Sequence, residues 1–239
     1  MSQTDNLKIK VALHIHTLYS ACSETILEEM EKYCISKGIS VVGITDHDTI
    51  SGAFALKSIV KNLRVIVGEE IKTRQGEITG LFLKHEIKHG LDAEDTCHQI
   101  KEQGGLVYIP HPFDPFKFHR LTPKALMRVL DMVDIIEVFN AKANFPFFNP
   151  IAAKFAMEQG KVGAAGSDAH FLQAISLCTN EMKDFNTPQE FLENLRHARL
   201  ITEHIYPCSS WWVGIKNVLR GEGHVVKRFG RREGKHRQR

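Results

Sequence analysis

Two histidines stand close together in the stretch VALHIHTLYSAC, residues 11 to 22. His14 and His16 are one residue apart and come directly after an apolar run. In an extended segment, side chains two positions apart point to the same side, so both imidazoles are expected to face one site. Neutral imidazoles are common ligands of zinc and related transition metals. The pair therefore predicts a metal site.

Further histidines and acidic residues stand at the ends of later apolar runs. They are Asp46 and His47 in GITDHDT, Glu69 and Glu70 in VGEEI, His111 in HPFDP, Glu137 and Asn140 in and after DIIEVF, and Asp168 and His170 in GSDAH. Imidazoles mixed with carboxylates suit zinc, manganese or iron, whereas calcium and magnesium prefer oxygen ligands alone. Because one ion needs about four protein ligands, this set predicts two or three ions. Clustered ions suit phosphoester hydrolysis.

Short β-branched runs alternate with longer amphipathic segments along most of the chain. The runs predict seven strands, at residues 9–13, 40–45, 64–68, 77–83, 106–110, 134–139 and 161–166. Thr122 before Pro123 is typical of a helix start, and Gly38, Gly104 and Gly160 of helix ends. Strands that alternate with helices indicate an α/β fold with parallel pairing and right-handed crossovers.

The candidate ligands decide between a closed barrel and an open sheet. All strands of a parallel barrel end on one face, so ligands spread over more than 150 positions would converge there. An open sheet gathers residues only near its switch point. The run at 77–83 is the exception, since only His85 follows it. The sequence therefore favours a barrel with its metal site at the C-terminal ends of the strands.

Charge and composition indicate one main domain with a basic end. The chain has 239 residues, 43% of them hydrophobic, and we expect a barrel domain over 1–205 and a docking helix over 206–221. The last 24 residues carry nine Lys/Arg against two Asp/Glu. Such a tail, 222–239, can bind nucleic acid by releasing counterions from phosphates. The alternative is a solvated, disordered tail.

Other features exclude several protein classes. No run approaches eighteen apolar residues and the N-terminal segment is polar, so we expect a cytoplasmic protein with no membrane partner. Five cysteines without a C-x-x-C pair indicate neither a zinc knuckle nor a disulfide framework. The oligomeric state is not indicated by the sequence.

The stretches HIHTLYS, GITDHDT, GEEI, HPFD and GSDAH, in this order and at these intervals, resemble the motifs of the polymerase and histidinol phosphatase (PHP) superfamily. The resemblance covers residues 9 to about 205. It implies a distorted (β/α)7 TIM-like barrel that binds up to three divalent ions. It also implies hydrolysis of histidinol phosphate, of nucleotides or of nucleic-acid ends.

The resemblance also implies roles for individual residues. One ion would be bound by His14, His16, Glu70 and Asp168, a second by Glu70 and His111, and a third by His47 and His170. Glu70 is preferred to Glu69 because the family's usual pattern is Gly-x-Glu. Asp46 would orient His47 or touch the reactive water. In the mechanism that we expect from this site, His170 or water would stabilise or protonate the leaving oxygen. Asp46, His47 and His170 are therefore the expected catalytic residues.

Two departures from the family pattern affect these assignments. Relatives often have another ligand after the His-x-His, where this chain has Ala21 and Cys22, so Cys22 is either a thiolate ligand or a structural thiol. Relatives often have a histidine at the position of Thr79. The second ion would then rely on Glu137 or a water, and Asn140 is a further candidate. Lys117, Arg120 and Lys142 are candidate phosphate contacts.

Three functions stay open at this point. A phosphoesterase acting on a small phosphorylated substrate or nucleotide is favoured over one acting on long nucleic acid, because the chain is small and its loops are short. An amidohydrolase-like C–N hydrolase usually adds a metal-bridging lysine at a strand end, and no strand exit supplies one. A non-catalytic module that binds metal, and that has lost part of its active site, would keep only some of the motifs.

Overall fold

The computed structural model describes residues 8–203, which form nine strands and six α-helices. The strands are β1 Lys8–Ile15, β2 Ile39–Ile44, β3 Arg64–Thr73, β4 Gly76–Leu81, β5 Leu106–Ile109, β6 Ile135–Asn140, β7 Val162–Ala169, β8 Cys178–Lys183 and β9 Arg199–Thr202. The α-helices are α1 Leu27–Ser36, α2 Ser51–Ile59, α3 Ala93–Glu102, α4 Pro123–Val129, α5 Phe148–Glu158 and α6 Pro188–Arg196. Two short 3-10 helices cover Leu130–Met132 and Leu172–Leu177.

The first seven strands close into a barrel. Their order is β2-β3-β4-β5-β6-β7-β1, and β1 pairs with β2 as well as with β7. The expected α/β barrel with a TIM-like arrangement is therefore confirmed. The predicted helix boundaries also fit, since the Thr122 side chain accepts a hydrogen bond from the backbone of Ala125. Gly38, Gly104 and Gly160 adopt positive φ after helices.

One strand of the barrel runs in the opposite direction to the others, and the expectation of parallel pairing throughout was wrong there. β4 pairs antiparallel with β3 and with β5. Only Arg74 and Gln75 connect β3 to β4, and a connection of two residues makes a hairpin because a parallel crossover needs a dozen or more. As a result, β4 begins, rather than ends, on the face where the parallel strands end.

Two apolar clusters hold the barrel together. Side chains that alternate along the strands, such as Val11 and Leu13 of β1 and Ile135 of β6, form an inner cluster with Phe191 of α6. The other faces of the strands pack against the helices in a larger outer cluster that includes Met30, Leu56 and Ile100. These clusters fix the strand ends from which the candidate ligands project.

Two strands at the end of the barrel domain were not predicted. β8 pairs antiparallel with the first half of β1, and β9 pairs with β8. The sequence of β8, CTNEMK, is too polar to be recognised as a strand. The docking helix expected at 206–221 and the tail expected at 222–239 lie outside the described residues. In the described part of the chain, no helix is long and apolar enough to cross a membrane.

Candidate metal centre

Side chains from five strand ends meet at one end of the barrel. One ring nitrogen of each of four histidines lies close to Glu70, the seventh residue of β3. The distances to its carboxylate oxygens are 3.4 Å from His14 Nε2, 3.3 Å from His16 Nε2, 3.3 Å from His47 Nδ1 and 3.3 Å from His111 Nε2. Asp168 Oδ1 lies 3.8 Å from His14 Nε2 and 3.6 Å from His16 Nε2. The predicted ligands are thus brought together.

Unusual backbone conformations aim several of these side chains. His14, His111 and Asp168 adopt positive φ angles of 59°, 31° and 49°. Non-glycine residues rarely adopt this region, and strain of this kind is concentrated at functional sites. The register of β1 also shifts between Ala12 and Ile15. His14 and His16 therefore face the same site because of an irregularity at His14, and the regular alternation used in the sequence analysis does not apply.

The polar atoms in this cluster fit a divalent cation. His14 Nε2, His16 Nε2 and Glu70 Oε1 are buried and make no hydrogen bond with the described residues. Buried polar atoms without partners are costly, so such a group needs a ligand. Two ligand atoms at about 2.1 Å from one tetrahedral ion lie about 3.4 Å apart, and the separations around Glu70 match that value. The cluster is therefore suited to divalent metal binding.

Glu137 holds His14 in position without facing the cluster. Its Oε1 lies 2.8 Å from His14 Nδ1 and accepts a hydrogen bond of 2.7 Å from the Tyr108 hydroxyl. Its Oε2 accepts hydrogen bonds from the backbone of His111 and from the side chain of Asn140. A proton on His14 Nδ1 leaves the lone pair of Nε2 free for an ion. Glu137 and Asn140 are therefore placed to orient ligands.

Asp46 is placed behind His16 and is engaged by hydroxyl groups. It accepts hydrogen bonds from the Thr17 backbone and hydroxyl and from the Ser20 hydroxyl, at 2.6 to 2.7 Å. The Ser20 hydroxyl also lies 3.5 Å from His16 Nδ1 and accepts a hydrogen bond from the backbone of His47. Asp46 is therefore linked to His16 and His47 through Ser20, and its oxygens lie outside the groups of residues that could hold an ion.

His47 and His170 flank His16 on the more open side of the cluster. The ring centroid of His16 lies 4.5 Å from that of each neighbour, and the three residues can offer atoms to one ion. Burial lowers the pKa of His47, and it lowers the pKa of His170 to about 3. Both imidazoles are therefore neutral near pH 7, the form that binds a cation. For His170 this form is suited less to proton donation than to ligation.

Charged neighbours control the ionisation of the buried carboxylates. Burial alone would raise the pKa of Asp168, but Lys117 and His14 hold it well below the usual range. Burial would likewise raise the pKa of Glu70, and the facing imidazoles keep it well below its ordinary value. Both carboxylates are therefore ionised at neutral pH and available to a cation.

Two of the three candidate phosphate contacts reach the cluster. Lys117 Nζ makes an ion pair with Asp168 Oδ2, and its side chain is 16% exposed. Lys142 Nζ lies 3.1 Å from His170 Nδ1 and 4.0 Å from Asp168 Oδ1. Arg120 is in the same segment as Lys117, and its side chain makes none of the contacts found for the two lysines. The site thus joins a cluster of metal-type ligands to two ammonium groups.

Two other candidates belong to none of the ligand groups, although Cys22 lies near Lys142. Glu69 points out of the barrel, where it accepts a hydrogen bond of 2.9 Å from the backbone of Ile87. Cys22 is exposed and belongs to none of the groups that could hold an ion, whereas Cys34, Cys97 and Cys178 are buried. The alternation of inward and outward side chains along β3 explains why Glu70 enters the site and Glu69 does not.

Sequence reasoning missed one carboxylate. Glu77 at the start of β4 lies 3.7 Å from His47 Nδ1 and 3.9 Å from His111 Nε2. The pattern of a ligand directly after each strand does not include Glu77, because β4 is antiparallel and presents its beginning to the site. The sequence feature that could have revealed Glu77 is the two-residue connection after β3, which indicates a hairpin and therefore an antiparallel β4.

Comparison with known proteins supports the assignment suggested by these motifs. Residues 12–109 match the family model described as PHP domain, and residues 146–200 match the one described as PHP-associated. An uncharacterised protein of Methanocaldococcus jannaschii, MJ0417, is 35% identical over 201 residues, which are 79% of each chain.

Solved structures share the fold at low identity. A two-domain protein of Bacteroides vulgatus, described as containing a predicted PHP-like metal-dependent phosphoesterase, has a TM-score of 0.65 and 16% identity over 82% of this chain. The lesion-specific endonuclease PfuEndoQ of Pyrococcus furiosus has a TM-score of 0.58 and 15% identity over 81% of this chain. The chain spans 65% and 58% of their lengths. These similarities concern the fold alone.

Proposed function

The chain belongs to the PHP superfamily of metal-dependent hydrolases, and on that premise we propose that it is a phosphoesterase that hydrolyses a small phosphate monoester, a nucleotide or a nucleic-acid end. The observation that carries the proposal is the position of two ammonium groups. Lys117 and Lys142 reach Asp168 and His170 at the edge of the ligand cluster. Cations beside a metal centre favour a substrate with several negative charges, and a phosphate has them.

The residues of the cluster would hold two or three ions of zinc, manganese or iron. His14, His16, Glu70 and Asp168 would hold one, Glu70 and His111 a second, and His47 and His170 a third. When bound, such ions lower the pKa of a coordinated water and neutralise charge on phosphate oxygens.

The protein's own groups would position the substrate. Lys117 and Lys142 would donate hydrogen bonds to the phosphate and offset the charge that develops on the leaving oxygen. Glu137 and Ser20 would keep the imidazoles of His14 and His16 turned into the site. Water attacks phosphorus and gives up a proton to solvent or a neighbouring group, the bond from phosphorus to the leaving oxygen breaks, and a proton reaches that oxygen from solvent or a neighbouring group. No residue forms a covalent intermediate.

Exposed aromatic rings beside the lysines support a substrate with a flat ring. Phe116 precedes Lys117 and is 54% exposed, and Phe145 follows Lys142 by three positions and is 45% exposed. Their ring centroids lie 5.4 Å apart. Exposed phenylalanines are suited to stacking on a base, so nucleotides and nucleic-acid ends are the favoured members of the proposed substrate class.

One observation favours C–N bond hydrolysis as a second candidate. The sequence analysis found no lysine at a strand exit, yet Lys117, eight residues beyond β5, reaches the ligand Asp168. A lysine in the centre is the feature usual in amidohydrolase-like sites. The ion pair with Asp168 favours the phosphoesterase, because it keeps the lysine charged.

A substrate panel with a matched set of metals tests both candidates. The full chain is stripped with a chelator, loaded with zinc, manganese or iron, and assayed on nucleotides, glycerol phosphate, short oligonucleotides and N-acyl amino acids. We expect metal-dependent release of phosphate, with one oxygen from labelled water in the phosphate. Turnover of the amides alone, label in the alcohol, or full activity without metal would contradict the proposal.

A further inference from the structure

The carboxylate of Glu77 lies between two imidazoles of the metal centre. Glu77 is the second residue of β4 and is 6% exposed. Its Oε1 faces His47 Nδ1 at 3.7 Å, and its Oε2 faces His111 Nε2 at 3.9 Å. Each oxygen of this one carboxylate is thus directed at a different candidate ligand.

Glu70 approaches the same two imidazoles from the other side. Its Oε2 lies 3.3 Å from His47 Nδ1, and its Oε1 lies 3.3 Å from His111 Nε2. Two carboxylates and two imidazoles therefore alternate around a ring, with 3.3 to 3.9 Å between neighbouring atoms. For His47, Glu70 and Glu77, one ligand atom from each residue lies within 4.8 Å of the other two, as expected for atoms that share one ion.

The direction of β4 puts Glu77 in this position. In the antiparallel ladder Glu70 pairs with Thr79, and Lys72 pairs with Glu77. Side chains of paired residues and of residues two apart lie on the same face of a sheet, so Glu70 and Glu77 share the inner face. A parallel strand at this place would have pointed its first residues to the opposite end of the barrel.

The surroundings of Glu77 leave its charge without a fixed partner. No described residue donates a hydrogen bond to its carboxylate, and the nearby ammonium of Lys117 is paired with Asp168. Its neighbours are imidazoles that also face Glu70. A buried carboxylate next to a second carboxylate is stabilised by a cation between them.

We propose that Glu77 is a metal ligand that completes, with Glu70 and His47, an ion site on the hairpin side of the centre, next to His111. The proposal rests on the metal centre of the proposed function and is independent of the reaction carried out there. It differs from the ligand set implied by the motifs, in which β4 would supply a histidine at the position of Thr79 and His47 belongs with His170.

Metal binding by the full chain tests this role without any measurement of activity. Chelator-stripped wild-type and Glu77→Gln proteins are titrated with zinc by calorimetry, and with cobalt while the visible absorption of the bound ion is recorded. We expect Glu77→Gln to retain one ion fewer per chain after dialysis, and the cobalt spectrum to lose the contribution of one site. Equal stoichiometry and an unchanged spectrum would overturn the proposal.

Glu69→Gln is the matched control. Glu69 is equally buried and lies on the same hairpin, but its carboxylate points out of the barrel. We expect this variant to bind the wild-type number of ions. Glu77→Asp keeps the charge and should recover binding in part. Glu77→Ala, which has no ligand atom, replaces Glu77→Gln if circular dichroism shows that the latter does not fold. No ion lost in Glu77→Ala together with an unaltered cobalt spectrum would again overturn the role.

Metal binding and hydrolysis together show whether the role of Glu77 or the proposed phosphoesterase function has failed. If the wild type binds its ions but hydrolyses none of the phosphate esters, the proposed function fails and the role of Glu77 is still decided by stoichiometry. If the wild type hydrolyses the esters and Glu77→Gln binds metal as the wild type does, Glu77 is not a ligand and the function stands.

Discussion

Glu137 Oε1 lies 2.8 Å from His14 Nδ1, and this contact links the candidate ligand His14 to a buried carboxylate of the barrel interior. The same carboxylate binds Tyr108 and Asn140 and the backbone of His111. Four donors converge on two oxygens, so the group is fully occupied as an acceptor. One buried carboxylate thereby sets the orientation of histidines from two different strands.

Glu137→Gln should weaken metal binding without removing a ligand. The amide has one oxygen, so its NH2 group would face two of the four donors and displace them. Loss of such outer partners typically lowers metal affinity by about 10- to 100-fold. Competition with a chromogenic chelator measures the change, with Glu69→Gln as the control. Wild-type affinity in Glu137→Gln would show that His14 is oriented by other groups.

The stability of the metal-free protein should fall with pH because of Glu69. Burial raises the pKa of Glu69 from 4.5 to about 8, so the folded state favours its neutral form. The unfolded chain ionises at lower pH, and the free energy of unfolding therefore decreases as pH rises from 4.5 through about 8. Glu69→Gln should remove this part of the decrease. Urea unfolding at several pH values measures it, and parallel curves for both proteins would contradict the prediction.

Replacement of Lys117 should affect turnover and metal binding in opposite directions. Lys117→Met removes a charge-assisted hydrogen bond to phosphate, and we expect kcat/KM to fall about 10- to 100-fold, equivalent to about 1.4 to 2.7 kcal/mol. It also removes a cation that competes for Asp168, so affinity for metal should rise. Arg120→Met, a nearby charge without this contact, should change neither. A fall in both quantities would indicate a purely structural role.

Removal of the basic end should leave hydrolysis of small esters unchanged. A chain that stops after Gly221 loses seven of the nine Lys/Arg of the last 24 residues but none of the candidate ligands, since these end at His170. A loss of kcat/KM above about tenfold, or about 1.4 kcal/mol, would assign the tail to the site. Weaker, salt-dependent binding of oligonucleotides alone would identify it as a nucleic-acid contact. The full chain, assayed at the same salt concentrations, is the reference.

The sequence predicted the barrel and most of the cluster because both depend on local patterns. Apolar runs indicate strands, and the residue after a run lies at a predictable end of the barrel. Glu77 could not be found in this way, because its position depends on the direction of β4. The positive φ of His14 also depends on contacts between distant strands, so no pattern within residues 11 to 16 predicts it. The polar strand β8 forms because β1 offers it an edge.

The pairing of β1 with three other strands indicates which parts of the metal centre can unfold locally. β8 binds the first half of β1, β7 binds its second half, and β2 binds along its other edge. Amide protons in such a strand exchange with solvent mainly through global unfolding, whereas an edge strand such as β9 opens locally. His14 in β1 and His16 directly after it therefore lie on a strand that is paired along both edges, and His170 lies just beyond β7, beside the short helix at Leu172–Leu177. We expect ions to enter and leave through movements on the His170 side, while the β1 side stays closed on the timescale of hydrogen exchange.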